Sequence, residues 1–179
     1  MRNIRLATVG DSQAIAEAHV LGWRAAYRGI VPDIVLDGLS VDARAAQWRG
    51  RLDEAAASER RAWVIEVDRR VQGFAVTAPT RDEDDDAART SELMAIYLHP
   101  DAWGVGLGRE LVSHALADVH TRGWREVSLW VFESNARARR FYEKAGFAGD
   151  GGRKSVTQGD KALIEVRCRR VLATPGVAG

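Results

Sequence analysis

The chain contains a single cysteine, Cys168, which excludes an intrachain disulfide and any multi-cysteine zinc site. No run of roughly 18 apolar residues occurs, so a helical membrane span is excluded. Net charge is nearly absent: 26 Lys+Arg against 25 Asp+Glu leave a formal +1, too little to draw the molecule to nucleic acid or to a membrane surface. Internal repeats are missing. The start, Met1-Arg2-Asn3-Ile4-Arg5-Leu6, has no long apolar stretch, so no secretory signal is expected and the cytoplasm is the default compartment. What is present is 179 residues, 46% hydrophobic and 28% charged. That is enough to bury a core without staples and short for two full domains.

Apolar periodicity lays out the elements. Residues 3–8 alternate as a short strand. Asp11-Ser12 offers capping oxygens ahead of a helical stripe through Ile15, Ala18, Gly22, Trp23 and Ala26. Pro32 opens a short helical piece, and Ser40-Val41-Asp42 opens another that carries Ala45, Trp48 and Leu52. Residues 62–67 and 71–77 read as strands joined by a hairpin at Asp68-Arg69-Arg70. An acidic run, Asp82-Glu83-Asp84-Asp85-Asp86, precedes a strand over 92–98. A helix with Leu107, Leu111, Val112, Ala115, Leu116 and Val119 inward follows. The remainder reads as a strand from 126 to 131, a helix from 135 to 145, and two extended stretches from 147 and from 161. This order predicts one α+β domain over 1–170, with a mixed, mostly antiparallel sheet of about seven strands flanked by helices. The tail 171–179 is expected to be flexible.

Between the 92–98 strand and the next helix lies Trp103-Gly104-Val105-Gly106-Leu107-Gly108-Arg109. Closely spaced glycines let a backbone turn sharply and approach a ligand without a Cβ in the way. The first N–H groups of a helix lack intrahelical acceptors and carry partial positive charge, so a phosphate or pyrophosphate is the natural guest. The alternative is a turn that merely packs a helix against a sheet. A Walker loop is excluded, because no lysine lies nearby. A dinucleotide fingerprint fails too, since counting from Gly104 or Gly106 puts Arg109 or Leu111 where the last glycine belongs.

The stretch Tyr97-Leu98-His99-Pro100-Asp101-Ala102-Trp103-Gly104-Val105-Gly106-Leu107-Gly108 resembles the acyl-CoA pyrophosphate loop of the GNAT superfamily of N-acyltransferases. About forty residues on, Asn135 followed by Phe141-Tyr142-Glu143-Lys144-Ala145-Gly146-Phe147 resembles the second signature of that family. The element order agrees over residues 3–170. One departure is Trp103, where the family's loop begins with Arg or Gln. Backbone N–H groups hold the phosphates, so the change leaves binding in place and removes only a side-chain contact.

The resemblance implies a single GNAT-like domain, its sheet splayed at the cofactor cleft, and an acetyl-CoA-dependent N-acetyltransferase working by direct transfer through a tetrahedral intermediate. Acyl transfer to an amine needs a proton acceptor, an oxyanion site and a proton for the leaving thiolate. Tyr142 is the candidate acid: it lies on an inward i, i+3, i+4, i+7 stripe with Ala138, Phe141 and Ala145, and a tyrosine of pKa about 10 keeps its proton at neutral pH. Its alternative is a core tyrosine bonded to backbone. Glu92 resembles the family's general base, and the alternative is a solvated strand-end carboxylate. Asn135 resembles the residue that bonds the pantetheine arm, and it is also a good helix N-cap. The resemblance implies an oxyanion site on backbone N–H groups near Ile96-Tyr97, at a strand bulge, with Leu98, Val105, Gly106, Leu107, Gly108 and Arg109 contributing backbone to pantetheine and pyrophosphate.

Trp23 and Tyr27, with Trp48, are candidates for an aromatic wall of the acceptor pocket, and core positions are the favoured alternative for Trp23 and Trp48. The acidic run could attract a cationic amine or be a solvated loop. The histidines His19, His99, His114 and His120 support neither a metal site nor a triad, and no metal is expected. Cys168 has no base beside it in the sequence, so a covalent acyl-enzyme lacks a nucleophile. The expected partner is a small-molecule or peptide amine, with no nucleic acid and no membrane, and a homodimer is left open. Rival readings are a non-catalytic acyl-CoA sensor on the same fold and a transferase using another acyl-CoA.

Overall fold

A computed structural model describes residues 1–55 and 58–172. Seven strands form one sheet: β1 (Arg2–Leu6), β2 (Arg61–Val67), β3 (Arg70–Pro79), β4 (Thr90–Leu98), β5 (Glu126–Phe132), β6 (Ala148–Gln158) and β7 (Lys161–Val171). The helices are α1 (Ser12–Tyr27), α2 (Asp33–Asp37), α3 (Val41–Ala55), α4 (Leu107–Thr121) and α5 (Ala136–Lys144). Single 3-10 turns lie at Val9–Asp11 and Pro100–Ala102. The strand order is β1-β2-β3-β4-β5-β7-β6. Every neighbouring pair is antiparallel except β4 and β5.

The central strands are apolar on both faces because both faces are covered. On β2 and β3, Val64, Phe74 and Val76 pack with Ile15, Trp48 and Leu52 from α1 and α3. Their neighbours Ile65 and Ala75 pack on the other side with Leu111, Val112 and Val119 of α4. The β2–β3 hairpin turns at Asp68 and Arg69, both with positive φ (49° and 65°), the backbone sense of a tight two-residue hairpin.

The parallel pair β4–β5 sets up the site. It is hydrogen-bonded only at Thr90–Glu126, Ser91–Val127 and Glu92–Ser128. Beyond Glu92 the strands part, and β4 from Leu93 to Leu98 has no strand partner on that side. The sheet is therefore two half-sheets joined at an apex. A bulge on β4 does occur, but it lies at Met94: Val76 pairs with Ala95 while Thr77 pairs with Leu93. The expected position at Ile96-Tyr97 is thus corrected by two residues, since both of those pair regularly with Ala75 and Phe74.

Asp11 departs from expectation as well. Its carboxylate does not cap α1; it accepts from both Arg5 Nη atoms at 2.8 Å and from the Thr8 N–H at 2.7 Å. The Arg5 guanidinium holds the Asp11 carboxyl down at about 2. This network fastens the end of β1 to the start of α1. At the other end of the chain, β7 runs to Val171 and Leu172 is buried, while the rest of the expected tail, 173–179, lies outside the described residues. Among the described residues no helix is long and apolar enough to cross a membrane, and no cluster of His, Cys, Asp and Glu could hold a metal ion.

Candidate active site

The chain leaves β4 at Leu98, turns through His99 to Trp103, and enters α4 through Gly104 and Gly106. His99 is structural here: its Nδ1 accepts from the Asp101 N–H at 3.3 Å and fixes the 3-10 turn. Gly104 and Gly106 have φ of 81° and 90°, the left-handed region that side chains disfavour. A Cβ at either would meet nothing within 4 Å, so space stands open beside the backbone. The N–H groups of Gly104 through Gly108 donate to no backbone carbonyl among the described residues. A row of free donors at a helix N-terminus, facing open space, has the chemistry of an anion cradle.

Trp103 does not reach into that space as a donor. Its indole N–H donates to the Leu98 carbonyl at 3.1 Å, and the Arg137 guanidinium lies 3.7 Å over its ring. Arg137 of α5 thus sets a guanidinium against the first residue of the loop.

One cavity of about 730 Å³ runs from this turn along the open edge of β4 and through the gap between the half-sheets. Gly104, Gly106, Gly108, Arg109 and Asn135 line one end, with Leu98, Tyr97 and Ile96 along its length. Tyr142, Glu92, Trp23 and Tyr27 line it as well. Val105 and Leu107 are not on the wall; Val105 is exposed and Leu107 is buried in the core.

Tyr142 is half-buried on the cavity wall, and among the described residues its hydroxyl has no hydrogen-bond partner. A merely structural core tyrosine would have spent that hydroxyl on the protein. Burial, and then the neighbouring Tyr27, push its pKa up from the ordinary value, so it keeps its proton.

Glu92 is buried, not at a solvated strand end. Both its oxygens accept from Arg81, Oε2 from Nε at 2.9 Å and Oε1 from Nη2 at 2.6 Å. Each oxygen retains a second lone pair, so the carboxylate is held in place and can accept a further hydrogen bond. Asn135 caps α5 through Oδ1, which accepts from the Ala138 N–H at 3.1 Å. Its amide group remains on the cavity wall.

Tyr27 bonds Tyr97 through their hydroxyls at 3.0 Å, and Trp23 stands edge-on to Tyr27 at 4.8 Å. The two make an aromatic wall, whereas Trp48 is core, its indole N–H donating to Nδ1 of buried His19 at 3.2 Å.

The acidic run is a surface loop, with Glu83, Asp84 and Asp86 exposed, and part of it is tied down. Asp82 and Asp84 both bind Arg167, at 3.2 and 2.8 Å, and Asp85 binds Arg169 at 2.7 Å. These pairs tie three of the five carboxylates to β7, while Glu83 and Asp86 are exposed and form no ion pair among the described residues.

Several charged or aromatic wall residues escape a reading of the sequence, among them Arg81, Trp130, Phe132, Arg137, Lys154 and Glu165. Lys154 and Glu165 face each other across the β6–β7 ladder, and strand alternation alone reads such a pair as solvent-facing. Arg81 sits within the polar run, where nothing in its spacing points back to Glu92.

Residues 21–147 match the model of the acetyltransferase (GNAT) family. An uncharacterised N-acetyltransferase of Bacillus subtilis, YuaI, is 30% identical over 136 residues, covering 75% of this chain and 74% of that protein. The mycothiol acetyltransferase of Beutenbergia cavernae is 45% identical over 60 residues, which are 34% of this chain and only 20% of the relative. Among solved structures, the PaiA N-acetyltransferase of Thermoplasma acidophilum in complex with coenzyme A superposes with a TM-score of 0.77 at 19% identity, covering 96% of this chain and 99% of that one. YncA of Salmonella typhimurium, with acetyl-CoA, gives 0.72 at 22% identity, with 99% of each chain covered.

Proposed function

The chain belongs to the acetyltransferase (GNAT) family and is an acyltransferase of that type, and from this premise we propose that it transfers an acetyl group from acetyl-CoA to a primary amine by direct transfer through a tetrahedral intermediate. The observation that carries the reading is the single cavity that joins the free N–H row at Gly104–Gly108 to Tyr142 and Glu92. The coenzyme A and acetyl-CoA in the PaiA and YncA structures support the choice of co-substrate. Bound acetyl-CoA supplies an activated acyl carbon and a thiolate leaving group. The residues of the chain do the rest.

The turn at Gly104–Gly108 binds the pyrophosphate through backbone N–H groups, with Arg109 and Arg137 adding positive charge. The unpaired edge of β4 and the free amide of Asn135 hold the pantetheine arm in extended form. Backbone N–H groups on that edge, displaced by the Met94 bulge, meet the developing oxyanion. Glu92, held by Arg81, accepts the proton of the attacking amine. Tyr142 donates its hydroxyl hydrogen to the departing sulfur. Its raised pKa makes it a reluctant acid, so it acts as a hydrogen-bond donor whose proton moves only as the thiolate forms.

Cys168 supports the direct route: it is buried, lies off the cavity wall, and burial pushes its thiol up, away from the thiolate a nucleophile needs. A small cytoplasmic amine or a peptide amine is the acceptor class this reading takes, with a non-catalytic acyl-CoA sensor as the rival.

Titration calorimetry with acetyl-CoA, coenzyme A and NAD, followed by an amine screen, tests the reading. Saturable binding of the first two, none of the third, and turnover of at least one amine are expected. In the Tyr142→Phe variant kcat falls by about 10²-fold, the lower range for a positioned acid. A loss under about threefold, with acetyl-CoA affinity intact, removes Tyr142 from the chemistry, and binding of acetyl-CoA with turnover of no amine favours the sensor.

A further inference from the structure

The acceptor end of the cavity carries two cations and two carboxylates, and their arrangement selects a class of amine. Arg81 spends Nε and Nη2 on Glu92, which leaves Nη1 free on a side chain that is 63% exposed. Lys154 lies 3.6 Å from Glu165 and sits 3.8 Å over the ring of Trp130. Glu165 in turn is near enough to act electrostatically on both Arg81 and Tyr27. All four side chains line the same cavity, beside the aromatic wall of Trp23 and Tyr27.

The formal charges of this quartet cancel. A polyamine would find its charges opposed by Arg81 and Lys154, with no net negative charge in the quartet to offset them. A polyanionic acceptor would meet two carboxylates. A simple alkyl or aryl amine would fill the aromatic wall and leave the free donors of Arg81 and Lys154 unused. An acceptor bearing both charges satisfies both halves. Because Glu92 and Arg81 are in direct contact, its amine and its carboxylate must lie close together, as on a single carbon atom.

We propose that the acceptor is a free α-amino acid with an apolar or aromatic side chain. Its carboxylate is held by Arg81 Nη1 and Lys154, its amine is presented to Glu92, and its side chain lies against Trp23 and Tyr27. The inference rests on the N-acetyltransferase reading above and narrows it. Glu92 takes one proton from the bound ammonium, the neutral nitrogen forms the new bond to the acyl carbon, and the carbon–sulfur bond breaks. The departing thiolate takes the proton of Tyr142, and the second nitrogen proton, lost as the amide forms, returns to the Tyr142 oxygen. The carboxylate of the acceptor takes no part beyond fixing the position of the amine.

Matched acceptors test this with acetyl-CoA and a thiol-release assay: tyrosine, tyrosinamide and tyramine, and likewise leucine, leucinamide and isoamylamine. The free acid is expected to exceed both its amide and its decarboxylated amine in kcat/KM by at least tenfold, about 1.4 kcal/mol. In Lys154→Gln that ratio falls to within about threefold of one, while calorimetry with acetyl-CoA, bound at the far end of the cavity, reports that the variant is folded. Equal or faster transfer to the amine or amide overturns the amino-acid assignment and leaves the acetyltransferase standing, as does a ratio that survives Lys154→Gln. Transfer to none of the six compounds by protein that binds acetyl-CoA overturns the amino-acid assignment alone, and failure to bind acetyl-CoA overturns both.

Discussion

At the scale of single residues, two side chains, Trp103 and His19, owe their settings to partners distant in the chain. Trp103 stands where an arginine or glutamine would be expected, and Arg137 covers it from α5 with its guanidinium 3.7 Å from the ring. If that cation serves the phosphates, Arg137→Ala raises the Kd for acetyl-CoA by about three- to tenfold and flattens its dependence on salt, both read by calorimetry. An unchanged Kd would mean that the backbone donors suffice. His19 is the second case. Its Nδ1 accepts from Trp48, and burial, helped by Arg44 and Arg51, holds its pKa down at about 3. The unfolded chain binds a proton near pH 6.5 that the folded chain refuses. Stability is therefore complete above about pH 6.5 and declines as pH falls toward 3, by about 2 kcal/mol at pH 5. Thermal melts between pH 7 and 5 should show this decline, and His19→Gln, which keeps an acceptor for Trp48, should flatten it.

At the scale of elements, helices and strands were legible because their apolar periods were clean, whereas their side-chain partners were not. The stripe Leu107, Leu111, Val112, Ala115 gives α4, and all of these residues are buried in the structure. The glycine turn was legible as a phosphate cradle because its requirement is local: positive φ and free N–H groups within a few residues. Gly73 is the opposite case. Its spacing in β3 says nothing, but a Cβ there would lie 2.6 Å from the Tyr97 carbonyl oxygen and 3.0 Å from the Leu98 Cα. Both are backbone atoms of the neighbouring strand and cannot step aside cheaply. Gly73→Ala therefore pushes β4 away from β3 at the point where β4 runs into the cofactor turn. A cost of about 1–3 kcal/mol is expected in denaturant unfolding, together with weaker acetyl-CoA binding. An unperturbed midpoint would show that the strands can separate freely there.

At the scale of the whole molecule, the two half-sheets touch through only the three pairs Thr90–Glu126, Ser91–Val127 and Glu92–Ser128, because the gap beyond them is the site. A joint that narrow needs reinforcement, and the acidic run provides it. Asp82 and Asp84 from the loop between β3 and β4 bind Arg167 of β7, which also holds Asp150 of β6 at 2.7 Å; Asp85 binds Arg169. None of this was legible in the sequence, since the run pairs across some eighty positions with arginines that strand alternation assigns to the surface. Arg167 is itself buried to 9% exposure, so removing it strips Asp82 and Asp84 of their cation and leaves Asp150 with Arg169 alone. Breaking such a cluster from one side costs about 3 kcal/mol, or roughly 6–12 °C in melting temperature for a chain of this size. The location of the latch predicts more than instability. Arg167→Ala should loosen the apex where Glu92 is held, lowering kcat at temperatures well below the melt while the glycine turn, anchored separately on α4, still binds acetyl-CoA. A variant that loses stability but keeps full kcat would assign the latch to the fold alone.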